Sequence, residues 1–333
     1  MSDATAIDSV LVQWGERLFY PGNRIVKRQA VPRLRESTAA RAKGIRRRIH
    51  AIVALRAPQV MVKVTGGGRG MSAIAAHFRY ISKSGRLTIV DDRGVQHEGK
   101  DAVRDLADQW RYGGSFIGDV SHRREAFNIM LSMPYGTDSG ALMGAAQDFA
   151  RAELAGHRWL MVLHEHQANP HVHLSVRAEG VSGQRLNPRK PDLQRWRDTF
   201  AEKLRGRGIE AESTRQFARG VDWNQSPLWR LKAREEGRLR NPVHGVKANE
   251  TYKLRSHQAL EAWSHLMDAL EQSMMPGDRE LAADIRRFAT SSAYFRNAVD
   301  GPGAEPITDA TKMFQPAARQ AAARLRSGPE IER

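Results

Sequence analysis

Residues 164–176 read His-Glu-His-Gln-Ala-Asn-Pro-His-Val-His-Leu-Ser-Val and contain four of the chain's twelve histidines. The runs on either side of the turn, 159–164 and 172–176, are rich in apolar and β-branched residues and predict two strands joined at Asn169-Pro170. Because side chains alternate along a strand, His171 and His173 share one face, and His164 and His166 share a face on the partner strand. The sequence therefore predicts a hairpin that gathers imidazoles on one face of a sheet.

Imidazoles gathered in this way are typical of a metal site. Neutral imidazole suits Mn, Fe, Co, Ni or Zn, and three such ligands leave coordination positions open for substrate oxygens. The alternative is a set of ordinary strand histidines whose nitrogens are satisfied by hydrogen bonds. A single His-x-His pair favours that alternative, whereas the doubled pattern favours the metal site.

The charge of the chain indicates a polyanionic partner. The 333 residues include 53 Lys and Arg against 37 Asp and Glu, which gives a formal net charge of +16. Residues 1–57 hold 12 Lys and Arg against 4 Asp and Glu, so half of the excess lies in this segment. Nucleic acid is the commonest partner of so basic a protein, and a merely well-solvated surface is the alternative.

The chain contains no cysteine. This excludes disulfides, iron–sulfur clusters and a thiol nucleophile, and it fits a reducing compartment. No apolar run is long enough to span a bilayer, and the N-terminus lacks the apolar core of a signal peptide. We therefore expect a cytoplasmic protein without membrane insertion.

Strand and helix patterns alternate between residues 58 and 215 and predict an α+β fold. Strands are predicted at 58–65, 87–90, 126–133 and in the hairpin, and helices at 72–83, at 101–112, from residue 139, and after residue 191. This order predicts a central antiparallel sheet of about five strands covered by helices. Further helices are predicted at 226–237, 252–273, 278–291 and 317–326.

We divide the chain into a basic N-terminal extension at 1–57, the sheet-bearing domain at 58–215 and a helical C-terminal accessory region at 216–333. The extension lacks a clean apolar period, so we expect it to be partly helical and either to dock on the body or to lie along DNA.

Three more blocks accompany the histidines. His-Phe-Arg-Tyr-Ile-Ser-Lys-Ser-Gly occupies residues 77–85 after Val-Thr-Gly-Gly-Gly at 64–68, Ser-Met-Pro-Tyr-Gly-Thr-Asp occupies 132–138, and Leu-Asn-Pro-Arg-Lys occupies 186–190. In this order the blocks resemble the relaxases, the DNA-nicking transferases of conjugative and mobilisable plasmids within the HUH endonuclease superfamily. The resemblance covers about residues 58–235. It is closest to the mobilisation branch that contains the border endonuclease of Agrobacterium tumour-inducing plasmids.

The resemblance implies a metal-dependent endonuclease that nicks and rejoins one DNA strand at a transfer origin. It makes Tyr80 the nucleophile that forms a phosphotyrosine intermediate, and it makes His164, His171 and His173 the ligands of a divalent metal ion, with Mg or Mn expected. The family commonly has an acid two residues after the first histidine, where this chain has His166. That residue is a fourth ligand, a proton acceptor for the tyrosine or a passive substitute, and we group it with Tyr80 as a candidate catalytic residue.

Basic residues in the motif blocks are the candidates for tracking a single-stranded backbone: Arg69, Arg79, Lys83, Arg86, Arg189 and Lys190. Trp110 and Trp196 are candidate stacking partners, although Trp196 lies on an apolar helix face and is expected in the core. The glycine-rich loop at 66–70 lacks the lysine of a phosphate-binding loop. We interpret it as a strand-to-helix turn whose amides could meet a DNA phosphate.

The partners implied by the resemblance are single-stranded or supercoiled origin-of-transfer DNA, a relaxosome accessory protein and a type IV secretion coupling protein. Two alternatives remain open at the level of the sequence. One is a rolling-circle replication initiator of the HUH class, and the other is a DNA-binding accessory protein that is catalytically inactive.

Overall fold

A computed structural model describes residues 2–19, 37–165, 169–220, 237 and 246–292. The chain forms two compact units, which we call the sheet domain (residues 57–213) and the helical unit (residues 1–56 with 214–333). The predicted helices at 226–237 and 317–326 lie outside the described residues, apart from residue 237, and so does His166. No helix in the described part of the chain is both long and apolar enough to cross a membrane.

The strands are β1 (Met61–Gly66), β2 (Ile89–Asp91), β3 (Gln96–His97), β4 (Ala126–Ser132), β5 (Trp159–His164) and β6 (His171–Arg177). The helices are α1 (Ser2–Phe19), α2 (Thr38–Val53), α3 (Met71–Ile81), α4 (Gly99–Tyr112), α5 (Ser139–Glu153), α6 (Lys190–Arg205), α7 (Val246–Glu271) and α8 (Asp278–Ser291). A short 3-10 helix at Gln216–Arg219 completes the described elements.

The sheet domain is built on one open sheet of six strands in the order β1-β4-β6-β5-β2-β3. Every neighbouring pair is antiparallel. The predicted α+β fold is therefore confirmed, and the sheet has six strands where about five were expected. The additional strand is β3, a two-residue edge segment too short to leave a period in the sequence.

Helices cover both faces of this sheet, and the alternation along β6 decides which side chains meet them. Val172, Leu174 and Val176 point into a core shared with α5 and α6. Because neighbouring side chains alternate, His171 and His173 point to the opposite face. On that face the apolar residues of α3 and α4 pack with Leu160 and Val162 of β5. The histidines therefore lie on the side of the sheet that α3 and α4 cover.

The helical unit packs α1, α2, α7 and α8 around an apolar core that includes Phe19, Trp263 and Phe288. Its densest basic run, residues 46–48, is mostly structural. The guanidinium of Arg46 donates to both carboxylate oxygens of Asp278 at 2.9 and 3.1 Å and to Asp8 at 2.7 Å. These bonds join α2 to α8 and α1, so Arg46 is an internal tie of the helical unit and not part of a free basic surface.

We expect Arg46→Met to destabilise the helical unit by about 3 kcal/mol, because it leaves the carboxylate of Asp278 buried without its cation. The side chains of Arg46 and Asp278 are only 14% and 5% exposed. Urea denaturation followed by circular dichroism measures the loss. Arg47→Met is the matched control, since Arg47 is the exposed neighbour, and it should change the unfolding free energy by less than about 0.5 kcal/mol. Equal losses in both variants would refute the assigned role of Arg46.

Candidate metal centre and nucleophile

Three histidines of the hairpin converge on the sheet face covered by α3 and α4. His164 pairs directly with His171 across the two strands, and His173 lies opposite Val162. One ring nitrogen from each of the three lies within 4.8 Å of the other two. The ring centroids are 5.1 Å apart for His164 and His171 and 4.5 Å apart for His164 and His173. This donor set could hold one divalent cation, with coordination positions left open.

Two backbone carbonyls orient the imidazoles of His164 and His171. Nε2 of His164 donates to the carbonyl oxygen of Ile81 at 2.6 Å, and Nδ1 of His171 donates to that of Asn169 at 2.9 Å. A carbonyl oxygen only accepts, so these two nitrogens carry the protons. Nδ1 of His164 and Nε2 of His171 are then the lone-pair atoms, and an outer partner of this kind is what a metal-bound histidine needs.

The carbonyl of Ile81 also concerns position 166, where this chain has a histidine and the family commonly has an acid. The family resemblance predicts an acid that orients the first histidine. In this chain a backbone oxygen at the end of α3 holds the ring of His164. A carboxylate at position 166 is therefore not needed to fix the tautomer of His164.

The imidazole of His173 stays neutral at physiological pH. Burial, and then the neighbouring imidazoles of His164, His171 and His77, lower its pKa to about 3. A neutral imidazole is the form that binds a metal, because only this form has a free lone pair. The imidazole of His173 is thus in the protonation state that binds a cation.

Tyr80 lies in the last turn of α3, beside this cluster. Its side chain is 71% exposed, and its ring centroid is 6.4 Å from that of His173. The opposite face of α3, which carries Ile74, Phe78 and Ile81, is buried in the core, so the helix can present Tyr80 only on its outer side. The bond from His164 to Ile81 fastens the end of the same helix to the cluster.

His77 begins the sequence block at 77–85 but was not predicted as a site residue. It lies one turn before Tyr80, with ring centroids 6.2 Å from Tyr80 and 6.4 Å from His173. Burial lowers the pKa of His77, so it too is a neutral imidazole. The signal was present in the sequence, because residues three apart on a helix share a face.

A left-handed turn follows α3. Lys83, Ser84 and Gly85 all have positive φ, at 49°, 59° and 84°. The first two carry side chains, and each such residue costs on the order of 1 kcal/mol in this conformation. Gly85 cannot be replaced cheaply, because a Cβ there would lie 2.3 Å from the backbone of Gly99. Strain of this kind beside an exposed tyrosine is typical of a functional site.

The predicted DNA-binding residues fall into two groups. Arg79, Lys83 and Arg86 are exposed within six residues of Tyr80, and Arg69, also exposed, donates to the carbonyl of His122 at 3.3 Å. Arg189 and Lys190 are exposed at the start of α6, which packs on the other face of the sheet. The structure thus gathers the first group around α3 and does not bring the second group to the histidine cluster.

The structure rules out the stacking role of the two tryptophans, and it occupies one amide of the glycine-rich turn. Trp110 and Trp196 are each 1% exposed, so neither can stack on a base, although the expectation that Trp196 belongs to the core is confirmed. In and just after the glycine-rich turn, the amides of Gly68 and Met71 donate to the carbonyls of Ala126 and Gly118 at 3.1 and 2.9 Å. Those amides are not available to a DNA phosphate.

Three clustered imidazoles beside an exposed helix-end tyrosine define a candidate metal centre of the nuclease type. Residues 80–209 match the family model described as "Relaxase: MobA/VirD2-like, nuclease domain". The match begins at Tyr80 and includes all three clustered histidines. It supports a relaxase, a DNA endonuclease that acts in conjugative or mobilisation transfer and binds origin-of-transfer DNA. Relaxases generally use a divalent metal, and the histidine cluster could bind one.

None of the curated proteins compared with the chain matches it significantly.

Proposed function

We propose that this protein nicks and rejoins one strand of DNA at a transfer origin by tyrosine transesterification, as a relaxase of the branch that contains the Agrobacterium border endonuclease. The observation that carries the proposal is the position of Tyr80, an exposed phenol whose ring centroid lies 6.4 Å from that of His173 in the histidine cluster. The family match supplies the class of substrate, because it covers the tyrosine and the cluster together.

In this proposal His164, His171 and His173 hold the divalent ion, with Mg or Mn expected. When bound, the ion would neutralise charge on the non-bridging oxygens of one phosphodiester. The protein's own contribution is placement: the sheet fixes the three imidazoles, the carbonyls of Ile81 and Asn169 fix two of their tautomers, and α3 presents the phenol next to them.

The proposed reaction exchanges one phosphodiester for another. A bond forms between the phenolic oxygen of Tyr80 and phosphorus, and the bond from phosphorus to the 3′-oxygen breaks. The phenol has a free pKa near 10, so its proton must pass to an acceptor as the new bond forms. We propose His166 as the acceptor of this proton, and the 3′-oxygen takes a proton from solvent to leave a 3′-hydroxyl. Because the two esters are similar in energy, reversal rejoins the strand without ATP.

Arg69, Arg79, Lys83 and Arg86 are proposed to hold the strand near the nucleophile, and Arg189 and Lys190 to contact DNA elsewhere. A relaxosome accessory protein and a type IV secretion coupling protein are the proposed protein partners. The net charge of +16 supports a polyanionic substrate and not a particular sequence of it.

The test is capture of the covalent intermediate. The full-length protein is incubated with single-stranded oligonucleotides that tile the origin region of its own genetic element, with Mg²⁺ or Mn²⁺, and is run on a denaturing gel. We expect a protein–DNA adduct that forms with metal and disappears with EDTA. Tight DNA binding without any adduct under either metal would overturn the proposal in favour of a catalytically inactive DNA-binding protein.

A further inference from the structure

A groove of about 440 Å³ runs between α3 and α4. Its floor is apolar, and its rim carries four cationic side chains and one acid, namely Arg79, Lys100, Arg104, Arg111 and Asp108. Arg79 immediately precedes Tyr80. One end of the groove, at Arg79 and Lys100, therefore lies at the end of α3 that carries Tyr80, and the lining continues along α4 to Arg111, over a helix about 21 Å long.

Much of this positive charge is free to meet an external anion. Within the described residues, Arg79 and Lys100 form no ion pair. Arg104 pairs only with Asp101, at 3.2 Å, and both of those side chains are more than 70% exposed, so that pair is weak. Arg111 is the exception, because it donates to Asp119 at 2.7 Å. A cationic rim over an apolar floor is complementary to a strand whose backbone is charged and whose bases are not.

An exposed aromatic pair follows Arg111, the last lining residue of the groove, in the chain. The side chains of Tyr112 and Phe116 are 68% and 64% exposed, and their ring centroids are 5.9 Å apart with an interplanar angle of 40°. Two large apolar rings that remain in water together are unusual on a surface without a partner. Every DNA base offers a flat face to such a pair.

The loop that holds Phe116 is fixed on both sides. The buried guanidinium of Arg177 donates to the carbonyls of Gly113 and Ser115. The carbonyl of Gly118, two residues after Phe116, accepts from the amide of Met71 at the start of α3 at 2.9 Å. The loop that carries Phe116 is thus hydrogen-bonded to α3 and to Arg177, and its ring is exposed. Such preorganisation favours binding.

We propose that single-stranded DNA lies in the groove between α3 and α4, with its phosphates against Lys100 and Arg104 and unpaired bases stacked on Tyr112 and Phe116. This rests on the proposed function, since the bound strand would be the one that leads to Tyr80. The site selects single strands because a base inside a duplex has no free face for these rings.

The test measures binding of the full-length protein to a fluorescent oligothymidylate of about 12 nucleotides and to a duplex of the same length. We expect Tyr112→Ala with Phe116→Ala to weaken binding to the single strand about tenfold or more and to leave duplex binding unchanged. Met274→Ala is the control for loss of an exposed apolar side chain, because Met274 is 86% exposed in the helical unit. Melting curves check that all variants remain folded.

A second pair of substitutions tests the phosphate contacts. Lys100→Gln with Arg104→Gln should reduce the slope of log affinity against log salt by about 1.4, since each lost contact to a single strand is worth about 0.7. Arg255→Gln with Arg279→Gln removes the same charge from exposed positions of the helical unit outside residues 1–57 and should leave the slope unchanged. Folded groove variants that bind the single strand as their controls do would overturn the inference, as would equal losses for single strand and duplex.

The adduct assay separates failure of the inference from failure of the proposed function. An unsubstituted protein that forms the adduct, while its groove variants bind normally, would overturn the groove alone. A protein that forms no adduct but shows the expected groove dependence would overturn the proposed activity and would support the groove as a single-strand site.

Discussion

Tyr80→Phe is expected to abolish the covalent protein–DNA adduct while leaving metal binding intact. The substitution removes one oxygen from a side chain that is 71% exposed, and the ring that faces His173 remains. If the phenolic oxygen is the nucleophile, no other atom at this position can form the ester, so adduct formation should fall at least about a thousandfold. Quantitative denaturing gels with the origin oligonucleotide measure the loss.

Tyr135→Phe is the matched control for this change. Tyr135 is 85% exposed. Its backbone amide donates to the side-chain oxygen of Asn169 at 3.1 Å, so Tyr135 lies beside the hairpin. It is thus a second exposed tyrosine near the histidine strands, and its substitution should leave the adduct at the unsubstituted level. An adduct that survives in Tyr80→Phe, or is lost equally in both variants, would show that the nucleophile is another residue. Peptide mapping of the adduct would then identify it.

The parts of the site that the sequence predicts are those governed by local periodicity. The two-residue alternation of a strand places His171 and His173 on one face, and the turn at Asn169-Pro170 brings His164 opposite His171. The apolar residues of α3 predict which side of that helix is buried, and therefore that Tyr80 is outside. No knowledge of the rest of the fold is needed for either inference.

The parts that the sequence does not predict depend on residues far apart in the chain. The bond from His164 to the carbonyl of Ile81 spans 83 residues, and it decides the tautomer of a candidate ligand. Arg46 and Asp278 are 232 residues apart, and their contact turns a basic run that resembles a DNA-binding arm into an internal tie. The tertiary fold decides which side chains meet across such a distance, and neither composition nor periodicity predicts it.

Exposure is the other property that sequence reasoning did not reach. Trp110 was the natural choice for a stacking residue on α4, yet Phe78 packs against it at a centroid distance of 4.9 Å inside the core. Two residues later, Tyr112 lies in water. Since positions two apart on a helix face different directions, the choice between them required knowing which face of α4 meets α3.

His173→Ala is expected to remove divalent metal binding and, with it, DNA nicking. His173 is the member of the cluster nearest to Tyr80 among the ring pairs described, and its loss leaves two imidazoles where three are proposed to hold the ion. Because losing only an outer partner of a ligand typically costs 10- to 100-fold, we expect loss of the ligand itself to weaken Mn²⁺ binding by at least about 100-fold. Isothermal titration calorimetry on chelator-treated protein measures the affinity.

The control for this change is His122→Ala, because His122 is an exposed histidine of the same domain outside the cluster. It should retain both Mn²⁺ binding and nicking. Comparison with Tyr80→Phe separates metal binding from adduct formation. Tyr80→Phe should bind metal without forming an adduct, and His173→Ala should neither bind metal nor form an adduct. If His173→Ala binds Mn²⁺ as tightly as the His122 control, the cation is held elsewhere, and the hairpin would be a set of hydrogen-bonded strand histidines after all.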